Sequence, residues 1–182
     1  MKHKLYALEG IDASGKTTLA KLLANKVGGT YYSTPPKNYE LLNWNFEAAT
    51  PMERFDYYMG GNHAAQDELK KLLEDGHVFM DRYIHSTVVC RSTELGVNLE
   101  IPNNLLMPDT VIYLKASFEE IEKRLSSRPN RNAHENIGFL QKLAKKFEEY
   151  LVDFDSTIHI DTTGRDSIIV TNEIISNFKL SK

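Results

Sequence analysis

Eight residues near the start of this 182-residue chain constrain it more than any others: Gly10-Ile11-Asp12-Ala13-Ser14-Gly15-Lys16-Thr17. They fit G-x-x-x-x-G-K-[ST], and their setting matters as much as their pattern. Leu5–Leu8 just before them is a short apolar run that stops at Gly10, as a buried strand does. Gly15 to Val27 follows with Leu19, Leu22, Leu23 and Val27 at helical spacing, until Gly28-Gly29 ends it. Glycines let the backbone between strand and helix wrap a phosphate with its N–H groups turned inward. The helix adds the positive end of its dipole. Gly10, Asp12, Ala13, Ser14, Gly15, Lys16, Thr17 and Thr18 are therefore the candidate phosphate cradle. Lys16 would supply a cation to the β- and γ-phosphates of a nucleotide, and Thr17 a hydroxyl to Mg²⁺.

The same alternation continues. Thr30–Ser33 is β-branched and aromatic, and Pro35-Pro36 breaks it. Residues 38–75 read as helical, interrupted at Thr50 (a candidate N-cap) and Pro51 (a candidate first helical residue), and ending at Asp75-Gly76. Val78–Met80 is a compact apolar run ending at Asp81. A helix is expected from about His85 to Gly96, a loop over 97–108, a strand over Thr110–Leu114 and a helix over Phe118–Ser127. Ile137–Leu151 is amphipathic, Ile158–Ile160 reads as a last strand and Asp166–Phe178 as a last helix. Strand and helix alternating about five times predicts an α/β fold: a five-stranded parallel sheet with right-handed crossovers and helices on both faces. The length fits one domain, residues 1–182.

Composition narrows the partners. With 22 Lys+Arg against 25 Asp+Glu the net charge is −3, which argues against a general nucleic-acid binder while leaving room for a nucleotide substrate. The single Cys90 excludes an internal disulfide and fits a reducing compartment. No apolar run approaches the roughly 18–20 residues that cross a bilayer, and the N-terminal apolar stretch is too short for a secretory signal. The expected location is the cytoplasm, without membrane attachment.

Two further clusters carry chemistry. Asp81-Arg82-Tyr83 begins at the C-terminal end of a predicted strand, where ligands bind in open α/β sheets. A carboxylate there can hold Mg²⁺-bound water, and Arg82 can bind a phosphate or a substrate hydroxyl. The bland alternative is a turn in which Asp81 caps the next helix. Arg124, Arg128 and Arg131 form the second cluster, spaced along a helix end and the polar stretch beyond it. Arginines that swing over a transferring phosphoryl group stabilise the charge on its equatorial oxygens, and segment 128–136 is placed to act as a short lid. The alternative is a solvated basic helix end facing its own dipole.

Leu8-Glu9-Gly10-Ile11-Asp12-Ala13-Ser14-Gly15-Lys16-Thr17-Thr18, together with Asp81-Arg82-Tyr83-x-x-Ser86 and Pro108-Asp109, resembles the thymidylate kinases over roughly residues 4–175. The resemblance implies transfer of the γ-phosphoryl group of ATP to dTMP, with Mg²⁺ held near Thr17 and Asp81. It implies that Asp12 contacts the acceptor's sugar hydroxyl or phosphate region and that Arg82 holds the acceptor phosphate. Lys37 falls where the family has a phosphate-binding arginine. Position 13 is Ala rather than a basic residue, so the catalytic arginine would come from the lid, as Arg128 or Arg131. Arg124 would lie near the adenine, and the turn Thr162–Arg165, with Thr163 and Arg165, would approach it. Tyr58 falls at the place of the residue that stacks on thymine, and Asn62 where the family has an arginine that reads the base. Arg91 lies near the place of an absent glutamine. The family also pairs copies through helices beside the acceptor site, for which 51–75 is the candidate.

Two other readings compete. A deoxynucleoside kinase would want a base for the 5′-hydroxyl proton, and the second strand ends in Thr34-Pro35-Pro36 rather than a glutamate. A guanine-dependent switch would need Asn-Lys-x-Asp, and the chain has none. His63, His77, His85, His134 and His159 lack metal-ligand spacing and read as surface or packing residues.

Overall fold

The computed structural model describes residues 3–39, 48–128, 136–152 and 154–180. Five strands form one parallel sheet: β1 (Leu5–Glu9), β2 (Thr30–Ser33), β3 (Val78–Asp81), β4 (Thr110–Lys115) and β5 (Thr157–Asp161), in the order β2-β3-β1-β4-β5. Among the described residues seven helices join or flank them: α1 (Lys16–Val27), α2 (Pro51–Ala64), α3 (Gln66–Asp75), α4 (Ile84–Leu95), α5 (Phe118–Ser126), α6 (Ile137–Leu151) and α7 (Ser167–Asn177).

β1 is buried along its whole length, which is why it reads as continuous apolar sequence rather than as alternation. Its side chains still divide between two faces with period two. Tyr6 and Leu8 pack with Leu19, Leu23 and Val27 of α1 and with Val170 and Ile174 of α7. Leu5 and Ala7 pack on the other side with Met59, Leu69, Ile84 and Val88 of α2, α3 and α4. A third cluster joins Val111 and Tyr113 of β4 to Ile121, Leu140, Leu143 and Phe147 of α5 and α6.

The strand order turns at β1: β3 lies on one side and β4 on the other. In open parallel sheets such a switch point opens a crevice at the carboxyl ends of the strands. Register puts Asp81 beside both Leu8 and Ser33, so the ends of β1, β2 and β3 converge there.

The long helical stretch expected over 38–75 is more divided than its composition suggests. Lys37–Tyr39 is a single 3-10 turn, 40–47 lie outside the described residues, and α2 and α3 meet at Ala65. Thr50 and Pro51 do open α2: the Thr50 hydroxyl accepts from Glu53 N–H while the Glu53 carboxylate accepts from Thr50 N–H at 2.7 Å. This reciprocal cap satisfies two backbone donors that the helix itself leaves unpaired. Thr50→Ala should therefore cost about 1 kcal/mol of stability, read as a lower midpoint in urea unfolding with an unchanged slope.

Candidate active site

The loop between β1 and α1 is shaped by three left-handed residues. Gly10 has φ +142°, Ala13 φ +63° and Gly15 φ +100°. At Gly10 a Cβ would stand 2.5 Å from Leu114 carbonyl oxygen, so no other residue fits without displacing β4. Ala13 is one of three described non-glycine residues with positive φ, a conformation that costs energy and here bends the chain around the space above α1. Gly15 is the N-cap of α1, and the first turn holds no acidic side chain. The helix thus presents N–H groups and its positive end to an anion.

Lys16 folds back over this loop and donates to Ile11 carbonyl oxygen at 2.7 Å. Burial, and then Arg82, hold its ammonium down to about 8, against the pull of Asp12, Asp81 and Glu9. Thr17 Oγ1 donates to Asp81 Oδ2 at 2.5 Å, and Tyr31 OH reaches the same oxygen at 3.3 Å. Asp81 therefore faces the phosphate loop and does not cap α4.

That cap comes from Glu9, a residue to which the sequence reading gave no role. Its wholly buried carboxylate accepts from Tyr83 N–H at 3.0 Å, Ser86 N–H at 3.2 Å and the Ser86 hydroxyl. Burial nonetheless keeps its pKa above the ordinary carboxylate value, offset in part by Ser86 and Arg82. The signal was available: an acid ends a run of residues that are otherwise apolar and wholly buried.

Holding the start of α4 in this way aims Arg82. Its backbone is left-handed (φ +63°), and its guanidinium turns back to Gly10 carbonyl oxygen at 3.2 Å and to Ser86 Oγ at 3.1 Å, and pairs with Asp12. Burial alone would raise the Asp12 pKa, but Arg82, Lys16 and Arg128 outweigh it and hold the carboxyl below its usual value.

Two clefts open around these groups. One, of about 350 Å³, is lined by Asp12, Lys16, Thr17, Ser33, Thr34, Asp81 and Arg82 among others. Its neighbour, about 370 Å³, lies over α1 and is lined by Ser14, Arg124, Thr162 and Arg165 among others. Arg128, Ala13, Gly15 and Thr18 border both. Arg124 closes the second cleft's floor, donating to Ala13 carbonyl oxygen at 3.1 Å, to Thr162 Oγ1 at 3.1 Å and to Thr162 carbonyl oxygen at 2.6 Å. Thr162 rather than Thr163 reaches the cleft, because Thr163 Oγ1 accepts from Ser117 N–H at 2.9 Å.

The remaining acceptor-side candidates are more scattered. Lys37 is exposed and borders neither cleft. Asn62 is wholly buried and donates from Nδ2 to Thr87 Oγ1 at 3.0 Å. Tyr58 has the Arg91 guanidinium carbon 5.9 Å from its ring centre. Arg91 and Arg54 both pair with Glu94, a buried cation–anion–cation group on the α2–α4 seam that sequence spacing does not announce. Arg131 lies outside the described residues, as does His134. Among the described residues no helix is long and apolar enough to cross a membrane.

Known proteins are similar to this chain in sequence and in fold. The chain is 32% identical over 154 residues to a probable thymidylate kinase of Methanococcus aeolicus, covering 80% of this chain and 78% of that one. It is 29% identical over 182 residues to one from Methanocaldococcus jannaschii, covering 94% and 93%. Among solved structures it resembles the thymidylate kinase of Candida albicans (TM-score 0.77, 22% identity, 100% of this chain and 94% of that one). It also resembles a deoxyadenosine kinase of M. mycoides (TM-score 0.71, 18% identity, 96% and 98%), and at such identities both likenesses speak to the fold alone. The family model for thymidylate kinase matches residues 8–174, a span that takes in the phosphate loop, the Asp81–Tyr83 turn and all three arginines of the helix end, and the chain belongs to the thymidylate kinase family.

Proposed function

We infer that the protein transfers the γ-phosphoryl group of ATP to dTMP, giving dTDP and ADP. The observation that carries this reading is the pairing of two phosphate-directed cations across one cleft: Lys16 on the loop side and Arg82 on the strand-end side, with Asp12 between them. An oxygen of the acceptor phosphate attacks the γ-phosphorus as the bond to the β-phosphate oxygen breaks. The attacking oxygen is already anionic, so no base is required, and the work is positioning and charge neutralisation.

In this reading Lys16 and the N–H groups of the loop hold the ATP phosphates, Arg82 holds the acceptor phosphate, and Asp12 orients Arg82. Arg128, which borders both clefts, is placed to meet the group in transit, with Arg131 as the other lid candidate. We take the chain as one kinase unit in which segment 128–136 is the lid. Thr17 hydroxyl and Asp81 carboxylate stand side by side as hard oxygen donors, which suits Mg²⁺. Bound there, Mg²⁺ would neutralise charge on the β- and γ-phosphates. Among the described residues no group of three or more His, Cys, Asp or Glu gathers, so in this reading the nucleotide would bring most of the ion's ligands. Arg124 and Arg165 would border the adenosine moiety. Tyr58, Asn62 and Arg91 would lie toward the acceptor base, and Lys37 toward its phosphate. A cytoplasmic homodimer through 51–75 belongs to the same reading, and sedimentation would check it.

A nucleoside acceptor is disfavoured by the same cleft. Ser33 and Thr34 border it at the end of β2, where a base for a hydroxyl proton would be wanted, and Asp12 and Asp81 are engaged with Arg82 and Thr17. The experiment that tests the proposal is ADP release from ATP·Mg²⁺ with dTMP, dUMP, dCMP, dAMP and dGMP in turn. The expected result is turnover with dTMP above all others; ATP turnover that none of them accelerates would overturn it.

The depressed Lys16 pKa makes a separate prediction. The phosphates of ATP need the protonated ammonium, and the free protein loses that proton as pH rises through about 8. KM for ATP should be flat below that value and rise above it, toward tenfold per unit, when measured between about pH 7 and about pH 9.5. Lys16→Arg should remove the rise, since guanidinium keeps its proton across that range.

A further inference from the structure

Neither the sequence pattern nor the reaction gives a task to Tyr31, which lines the cleft of Lys16 and Asp81. It lies on β2, the edge strand, and pairs in register with Phe79, two residues before Asp81 on β3. Period two puts Phe79 and Asp81 on one face of the sheet, the α1 face, where Phe79 packs with Leu19 and Leu23. Tyr31 shares that face. Its ring packs on the same cluster, and Lys21 Nζ of α1 stands 5.1 Å from the ring centre. The phenol spans the two-residue offset between the strands, and its hydroxyl donates to Asp81 Oδ2 at 3.3 Å.

Asp81 Oδ2 thus takes two hydroxyl protons, from Thr17 at 2.5 Å and from Tyr31. Oδ1 has no hydrogen-bond partner among the described residues, and Asp81 lines the cleft. Two donors on one oxygen, one from a helix and one from a strand, fix the rotation of the carboxylate. They leave Oδ1 as the oxygen with spare lone pairs. A hydroxyl that gives away its proton keeps its own lone pairs, so Thr17 can offer one to a cation while it holds Asp81. The Tyr31 hydroxyl need not touch the cation to matter. Groups that orient a metal-directed carboxylate typically carry about 10- to 100-fold of metal affinity.

We propose that Tyr31 is a positioning residue for the divalent cation that accompanies ATP. Its hydroxyl, together with that of Thr17, locks Asp81 so that Oδ1 faces the ion or a water bound to it. The proposal rests on the reading of Thr17 and Asp81 as the Mg²⁺ side of the cleft.

The test uses the full chain, a non-hydrolysable ATP analogue, and Mn²⁺ as the probe, its free concentration read by EPR. Tyr31→Phe keeps the ring on α1 and removes only the hydroxyl, so the fold is not at stake. The dissociation constant for Mn²⁺ in the presence of the analogue should rise by about tenfold. Affinity for the analogue in EDTA, read by calorimetry, should stay within about twofold, the scale of a change that touches no nucleotide contact. In turnover with dTMP, the Mg²⁺ concentration giving half the maximal rate should rise as the Mn²⁺ constant does, with a smaller fall in kcat at saturating Mg²⁺. Asp81→Asn is measured alongside. Loss of Mn²⁺ affinity in Asp81→Asn but not in Tyr31→Phe would overturn the role of Tyr31 and leave the metal side of the cleft intact. Unchanged affinity in both variants would overturn the metal side and the proposal with it. Equal weakening of the analogue in EDTA would make Tyr31 a packing or nucleotide-binding residue and would also overturn the proposal.

Discussion

Lys16→Ala should lower kcat/KM for phosphoryl transfer by about three orders of magnitude or more, equivalent to about 4 kcal/mol of transition-state stabilisation, while the fold persists. Among the described residues Lys16 is the only lysine lining the cleft at the sheet's switch point, and charge builds on the transferring oxygens where the loop encloses them. Alanine removes that cation and leaves the loop's N–H groups in place, so residual activity reflects the backbone cradle alone. Stability should not suffer. The buried ammonium already sits with its pKa pulled down to about 8, which means the folded chain disfavours its charge at neutral pH. Thermal unfolding should show an unchanged or slightly raised midpoint. Activity within tenfold of the parent, by the same assay, would remove Lys16 from the mechanism.

Arg82→Ala should cost about two to three orders of magnitude in kcat/KM, with KM for the acceptor raised more than KM for ATP. Three contacts hold the guanidinium, to Gly10, Ser86 and Asp12, and all are made from a left-handed backbone in the turn between β3 and α4. Removing it also frees Asp12. The pKa of that carboxyl is held down chiefly by Arg82 against burial, so it should climb in the variant, and loss of activity should deepen as pH falls. Arg82→Lys should recover little, because an ammonium cannot bridge the acceptor phosphate and Asp12 as a planar fork does. An acceptor KM unchanged in Arg82→Ala would place the acceptor phosphate elsewhere.

The legible parts of this protein are those in which local pattern and global fold agree. Leu5–Leu8 followed by the glycine-rich loop and the helix from Lys16 needs little tertiary information, since each segment's periodicity names its partner. The parallel sheet followed from five repetitions of that unit. Sequence alone puts Asp81 at a strand end, but the cap of the helix after it is taken by Glu9, whose carboxylate accepts from Tyr83 N–H 74 residues further along the chain. No spacing rule reports such a pairing, because it depends on which strands are neighbours. Thr162 and Thr163 show the same limit at finer scale: the turn is legible in sequence, but that Thr162 lines the cleft while the Thr163 hydroxyl is taken by Ser117 N–H is not. Asn62, expected toward the acceptor base, is buried near the end of α2, and its Nδ2 is held by Thr87 Oγ1 of α4, a contact that the spacing along one helix does not report. The Arg54–Glu94–Arg91 group, built across two helices, lay beyond any one-dimensional reading.

The central claim is that the acceptor is a phosphate rather than a hydroxyl. It is tested most directly by incubating the protein with ATP·Mg²⁺ and either dTMP or thymidine, and identifying the products by ³¹P NMR. The account predicts a diphosphate doublet from dTMP, matched mole for mole by ADP, and no monophosphate from thymidine. Robust conversion of thymidine to dTMP with none of dTMP to dTDP would contradict it.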